Sequence, residues 1–297
     1  MNKRIVAVTG ATGTVGRVVV KILLEKGFGV RILAHSRKHG WTAKEVEVVE
    51  GDLTNVIVLK KMLRNVDGLI HCAATMDKTK SWEEFWEINV KTVGRIMNMA
   101  DEKTKLVMVS SVVVYADTGE KTGDEKAALR EDAKKDKYIQ TKIEALKVIR
   151  AQKRKVVTVM PSIVVDVNSW KKYSNNINSK FLAWIWQNIG GGIPGGIMAA
   201  IGSKERIINI VDVHDLGMGI VLAYEAGKSG EEYILGGQNI RVIDYLQKLS
   251  HILGKKYLRF RLPAGLVKWL AMAKLVNMSF KSEKAKKELG YRLAWKM

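Results

Sequence analysis

Ile5-Val6-Ala7-Val8-Thr9-Gly10-Ala11-Thr12-Gly13-Thr14-Val15-Gly16 decides the fold of this chain. Four apolar residues lead into three glycines spaced three apart, and an apolar-rich run, Val18 to Leu24, follows. The order is strand, tight turn, helix. Gly10 permits a sharp turn, Gly13 lets a diphosphate come against the backbone, and Gly16 lets the helix pack closely on the sheet. Thr9, Thr12, Thr14 and Val15 share the turn. The free N–H groups and the positive dipole end at the start of such a helix favour phosphate. A glycine turn with a strand before it and a helix after it predicts a bound dinucleotide.

Downstream, strand and helix patterns alternate. Strands are predicted over 30–34, 46–50, 66–71, 106–109 and 156–159. Helices are predicted over 59–63 and 82–100, and a further one carries Tyr138 and Lys142. This alternation predicts an α/β fold, a Rossmann-type doubly wound parallel sheet with right-handed crossovers. The dinucleotide-binding domain is placed at 1–160 plus about 207–230. A smaller substrate-binding region is placed at about 161–206 plus 231–297.

The end of the second strand bears on the cofactor. An acidic side chain there would bind a ribose 2′-hydroxyl and repel a 2′-phosphate. Here the chain reads Ala34-His35-Ser36-Arg37-Lys38, with no acid before Glu45. The Ser36 hydroxyl, Arg37 and Lys38 suit a 2′-phosphate, so NADP is preferred and NAD stays possible.

The 297 residues suffice for a full core. The single cysteine, Cys72, is read as a small core residue in a reducing compartment. No export signal is visible before the first strand, which suggests a cytoplasmic protein. His71 reads equally well as a polar-tipped core residue or a functional one. No metal is assigned to it, because no second ligand lies at suitable spacing. Phe181 to Ile201 is uncharged and long enough to span a bilayer, but Gly190, Gly191, Gly192, Pro194, Gly195 and Gly196 interrupt it. It is read as two short apolar pieces, forming an apolar lid or ordinary core.

The net charge is +20, and from His251 onward twelve Lys or Arg face only Glu283 and Glu288. The excess is either a solvated surface or an attraction to something anionic. No nucleic-acid motif is present, so nucleic acid is not expected as a partner. The run opened by Leu262-Pro263-Ala264, with Trp269 and basic neighbours, either packs on the lid or rests on an anionic membrane at the cytoplasmic face.

Tyr138 and Lys142 stand four apart, on one helix face. Tyr224 and Lys228 repeat that spacing, but Tyr224 sits at a helix end before Gly227 and Gly230 and is read as structural. Ser110-Ser111 ends the fifth strand. The chain resembles the extended short-chain dehydrogenase/reductase family, also called NAD-dependent epimerase/dehydratase. The resemblance rests on Thr9-Gly10 through Gly16, Gly51-Asp52-Leu53, His71-Cys72-Ala73-Ala74, Asn89-Val90 with Thr92, Ser110-Ser111 with Val114-Tyr115, and Tyr138 with Lys142. It continues through Val211 to Leu216 and Tyr233 to Gly237.

The resemblance implies that Tyr138 is the general acid/base. Lys142 would bind the nicotinamide ribose and lower the tyrosine pKa, and Ser111 would hold the substrate oxygen. Asn89 would position Lys142 through water, and Asp52 would meet the adenine, with Leu53, Ala73 and Ala74 in the same cofactor site. It also implies a homodimer through the 82–100 and Tyr138 helices. Two features depart from the family. Met160-Pro161-Ser162 stands where many members read Arg-Pro-Gly, and Val112 follows Ser111 where dehydratases carry an acid, so dehydration is not expected.

The apolar segments direct the reading to a dihydroflavonol-reductase-like or hydroxysteroid-dehydrogenase-like oxidoreductase acting on an apolar ketone or secondary alcohol. The alternatives are a nucleotide-sugar epimerase with tightly bound NAD, and a non-catalytic dinucleotide-sensing or membrane-associated protein.

Overall fold

The computed structural model describes residues 3–35, 40–42, 44–131, 136–166, 198–200, 207–252, 257–259 and 277–295. The first strand, β1 (Ile5–Thr9), is buried along almost its whole length and ends at the glycine turn. Helix α1 (Thr14–Glu25) follows, with Gly16, Val19, Val20, Ile22 and Leu23 turned to the core. This is the stripe expected of an amphipathic helix lying on a sheet. Next come β2 (Gly29–Ala34), β3 (Glu47–Glu50), α2 (Val56–Leu63) and β4 (Gly68–His71). Asn55 starts α2 by accepting hydrogen bonds from the Ile57 and Val58 amides.

The stretch predicted as one helix over 82–100 has three parts: α3 (Trp82–Trp86), a π-helical turn (Glu87–Lys91) and α4 (Thr92–Met99). Ser81 and Glu84 form a capping box at its start. The π turn, with its one-residue surplus, is centred on buried Asn89, whose side chain bonds away from the helix. Periodicity alone does not register such an insertion.

The chain continues through β5 (Lys105–Val109), a 3₁₀ turn (Val112–Val114), α5 (Lys137–Ala151) and β6 (Val157–Pro161). After β6 come β7 (Ile163–Val165), β8 (Met198–Ala200), β9 (Ile207–Asp212), α6 (Val213–Ala226), β10 (Glu232–Leu235), β11 (Gln238–Arg241), α7 (Val242–Ile252), β12 (Tyr257–Arg259) and α8 (Glu283–Leu289).

Among the described residues the main sheet has seven strands in the order β10-β6-β5-β4-β1-β2-β3, and all its pairings are parallel. The chain winds outward from β1 through β2 to β3, then returns to β4 on the other side of β1. The crevice between the carboxyl ends of β1 and β4 is therefore the switch point where such sheets bind ligands. One face packs on α1 and α6, where Val19, Leu23, Leu216 and Ile220 are fully buried. The other face packs on α2, α4 and α5 through Leu59, Met62, Ile96 and Ala145.

The boundary between the regions differs from the predicted one. Strand β9, expected to return to the main sheet, instead joins β7 and β11 in a three-stranded mixed sheet. Strand β10, expected in the substrate region, is the seventh strand of the main sheet, paired with β6. Both strands are short and apolar, so their composition cannot say which edge they join; pairing decides. Tyr224 is structural, as expected: its ring packs so closely on Gly68 that a Cβ there would lie 2.2 Å from it. Most of Phe181 to Ile201, and the run from Leu262 to Leu275, lie outside the described residues.

Candidate active site

Gly10 takes a φ of +71°, and a side chain there would strike the Ala73 amide nitrogen at 2.7 Å. A Cβ on Gly16 would lie 2.1 Å from the Gly10 carbonyl oxygen. The turn is closed by the Gly13 amide, which donates to the Gly10 carbonyl at 2.9 Å. Gly13 caps α1 without any side-chain bond, and the first turn holds no acidic residue. The helix thus opens with its N–H groups uncapped by side chains, beside the exposed Thr12 and Thr14 and half-buried Val15. That arrangement fits a diphosphate. Ala73 and Ala74 lie across the crevice, at the exit of β4.

At the outer end of the crevice, Asp52 accepts hydrogen bonds from the amide and hydroxyl of Thr54. These bonds hold its carboxyl below the usual carboxylate range. His35 Nδ1 stands 3.7 Å from Asp52, so the exits of β2 and β3 meet there, with Leu53 half-buried beside them. Ser36, Arg37 and Lys38 fall outside the described residues. Arg17, which the glycine motif does not single out, donates to the Thr12 carbonyl at 3.1 Å, and its guanidinium lies close to Gly40. Its position one residue after Gly16 is the only sequence signal for it.

Three further side chains converge at the exit of β5. The Ser111 hydroxyl accepts from the Val113 amide at 3.3 Å and is buried. Tyr138 enters from the first turn of α5, which Asp136 caps by accepting from the Tyr138 and Ile139 amides. Lys142, one turn on, is buried, donates to the Val109 carbonyl at 3.0 Å and lies 5.8 Å from the Tyr138 ring centre. Burial pushes the Tyr138 hydroxyl up to about 12, against a lowering hydrogen bond from Ser111. Burial also brings Lys142 down to about 8. Desolvation is the largest influence on both groups, and the Tyr138 hydroxyl stands above its ordinary value.

Asn89 makes three direct hydrogen bonds. Its side chain accepts from the Thr75 amide at 2.8 Å, and donates to the Thr75 carbonyl at 3.1 Å and the Thr141 hydroxyl at 3.0 Å. It ties the β4 exit loop to the residue before Lys142. Thr75 and Thr141 are thus part of the site's support, though neither carries a sequence signal beyond nearness to a motif. The Ser110 and Ser162 hydroxyls, at the ends of β5 and β6, are buried without a hydrogen-bond partner among the described residues. Buried hydroxyls left in this way at a sheet's carboxyl edge also suit a site that receives a polar ligand.

The model of the NAD dependent epimerase/dehydratase family matches residues 6–236. The chain belongs to this family. A Synechocystis sp. protein with the provisional name dihydroflavonol 4-reductase is 30% identical over 261 residues, covering 83% of this chain and 72% of its own. The crystal structure of gox2253 aligns with a TM-score of 0.77 at 30% identity, over 98% of this chain and 94% of that one. A dTDP-glucose 4,6-dehydratase from Bacillus anthracis, solved with NAD, aligns with a TM-score of 0.75 at 16% identity, over 98% of this chain and 92% of its own. The chain is thus an NAD(P)-dependent enzyme of the short-chain dehydrogenase/reductase type, and the β1–α1 turn is its candidate dinucleotide seat. The candidate reacting groups lie beyond it, at β5 and α5.

Proposed function

We propose that the protein transfers hydride between a nicotinamide and an apolar ketone or secondary alcohol. The observation that carries this reading is the convergence of Ser111, Tyr138 and Lys142 at the carboxyl edge beside the glycine turn. In the reducing direction the Tyr138 hydroxyl gives its proton to the substrate oxygen, and Ser111 donates a hydrogen bond to the charge growing there. Lys142, held by the Val109 carbonyl, would bind the nicotinamide ribose. A bound dinucleotide would supply or accept the hydride and, when oxidised, would add a positive ring that favours the tyrosinate. Asn89 keeps the β4 exit and α5 in register.

NADP is the proposed cofactor. Ser36, Arg37 and Lys38 support this in sequence, and Arg17 adds a cation beside Gly40. The similarity to a reductase, and the valines after Ser111 in place of an acid, support the ketone or alcohol substrate. The competing reading is a nucleotide-sugar epimerase using NAD. It is favoured by solved structures of like fold that hold NAD with a sugar nucleotide or nucleotide, and the same Tyr138 and Lys142 would serve it.

A titration with NADPH, NADP, NADH and NAD, repeated on Arg37→Asp, tests the cofactor. Turnover assays against apolar ketones and against UDP- or dTDP-sugars test the substrate. Tighter binding of the phosphorylated pair, reversed by Arg37→Asp, together with ketone reduction, supports the oxidoreductase. Co-purifying NAD with sugar-nucleotide turnover makes the protein an epimerase.

A further inference from the structure

We propose that His71 is a positioning residue for the dinucleotide seat: its Nδ1 orients the Thr9 hydroxyl, which fixes the Ala73 amide against Gly10. The inference rests on dinucleotide binding alone and is independent of the substrate reading. His71 closes β4 with its ring buried, and its Nδ1 lies 2.7 Å from the Thr9 hydroxyl oxygen across the β1–β4 pairing. Thr9 grips the β4 exit twice: its hydroxyl accepts from the Ala73 amide at 3.4 Å, and its carbonyl accepts from the Cys72 amide at 3.2 Å.

A Cβ on Gly10 would meet the Ala73 amide nitrogen first, at 2.7 Å, so the two leave no room for a side chain between them. Thus the strand exit and the glycine turn, the two walls of the crevice, are keyed to each other through one hydroxyl. A hydroxyl that already accepts from Ala73 has its proton left to give, and a neutral imidazole Nδ1 can take it. Burial and the nearby Lys142 ammonium bring the ring down to about 3, so it is neutral under ordinary conditions. Nothing in the proton transfer uses His71; its chemistry is spent on shape.

The test exploits the difference between the two ring nitrogens. Asparagine can place an acceptor oxygen close to where Nδ1 stands, whereas the longer glutamine side chain carries its amide toward the place of Nε2. The Kd for NADPH and for NADH is measured by fluorescence titration on wild type, His71→Asn, His71→Gln, His71→Leu, Thr9→Val and the double variant Thr9→Val/His71→Leu, each with a thermal midpoint. His71→Asn is expected to bind within about threefold of wild type. His71→Gln, His71→Leu and Thr9→Val are expected to bind about tenfold more weakly, and the double variant no more weakly than either single one.

The proposal is overturned if His71→Asn binds as weakly as His71→Leu, if all variants bind like wild type while melting lower, or if the two single losses add. Should His71→Leu fail to fold, His71→Gln and Thr9→Val decide the question in its place. Failure of the wild type to bind either dinucleotide would instead sink the binding reading on which the inference stands.

Discussion

The β1–α1 turn and the start of α5 reach the same edge of one sheet, yet they are built from opposite materials. The turn is a backbone site: Gly10, Gly13 and Gly16 act through side chains they lack, and a Cβ on Gly10 or Gly16 would lie 2.1 to 2.9 Å from backbone atoms. The α5 edge is a side-chain site, where Ser111, Tyr138 and Lys142 are held by burial, a cap and single hydrogen bonds. A backbone site tolerates no added atom, while a side-chain site can lose its chemistry and keep its shape. The two should therefore fail differently.

The largest effect is expected at the turn. Gly16→Val forces the Gly10 carbonyl away, and dinucleotide binding should fall below detection in a titration, with a lowered melting temperature. A Gly16→Val protein that binds as wild type does would erase the distinction. At the other site, Tyr138→Phe should reduce kcat by about a thousandfold while leaving dinucleotide Kd within about twofold, since only the proton donor is lost. An equal loss in Kd would mean that Tyr138 mainly shapes the seat.

Lys142 sharpens the contrast through pH. Its folded pKa of about 8 lies below the ordinary lysine value, so holding it charged costs stability at neutral pH. That cost falls as pH rises above 8, because the unfolded chain then binds more protons than the folded one, until the ordinary lysine pKa is reached. Lys142→Met should therefore raise the melting temperature at pH 7, on the order of 2–3 kcal/mol in stability, and change it far less at pH 10. Melts at the two pH values check this. Asn89→Leu orphans the Thr75 amide and carbonyl and should cost about 2 kcal/mol by urea denaturation, with kcat falling as α5 loses its tie. Asp136→Ala removes the α5 cap and should cost about 1 kcal/mol, the smallest change, with dinucleotide Kd unaffected.

The two sites also differ in how far they are legible in the chain. The glycine turn is legible because its spacing, between an apolar strand and an apolar helix, admits few conformations. Ser111, Tyr138 and Lys142 are legible only through their order along alternating elements and the family resemblance, since a Tyr-Lys pair four apart recurs at Tyr224 and Lys228. The π turn at Asn89, the Thr75–Asn89–Thr141 bonds and the Thr9–His71 bond are not legible. Each joins residues far apart in sequence or interrupts a periodicity without changing its composition.

By itself the sequence determined the parallel α/β architecture, the glycine turn that is the candidate dinucleotide seat and the reach of Tyr138 and Lys142 to a common edge, because these follow from periodicity, glycine spacing and chain order. Tertiary structure decided that β10 completes the main sheet while β9 leaves it, that Asn89 serves Thr75 and Thr141, and that burial outweighs charge in setting Tyr138 and Lys142. Strand pairing, long-range hydrogen bonds and desolvation depend on which residues meet in space, and no local pattern in the chain encodes them.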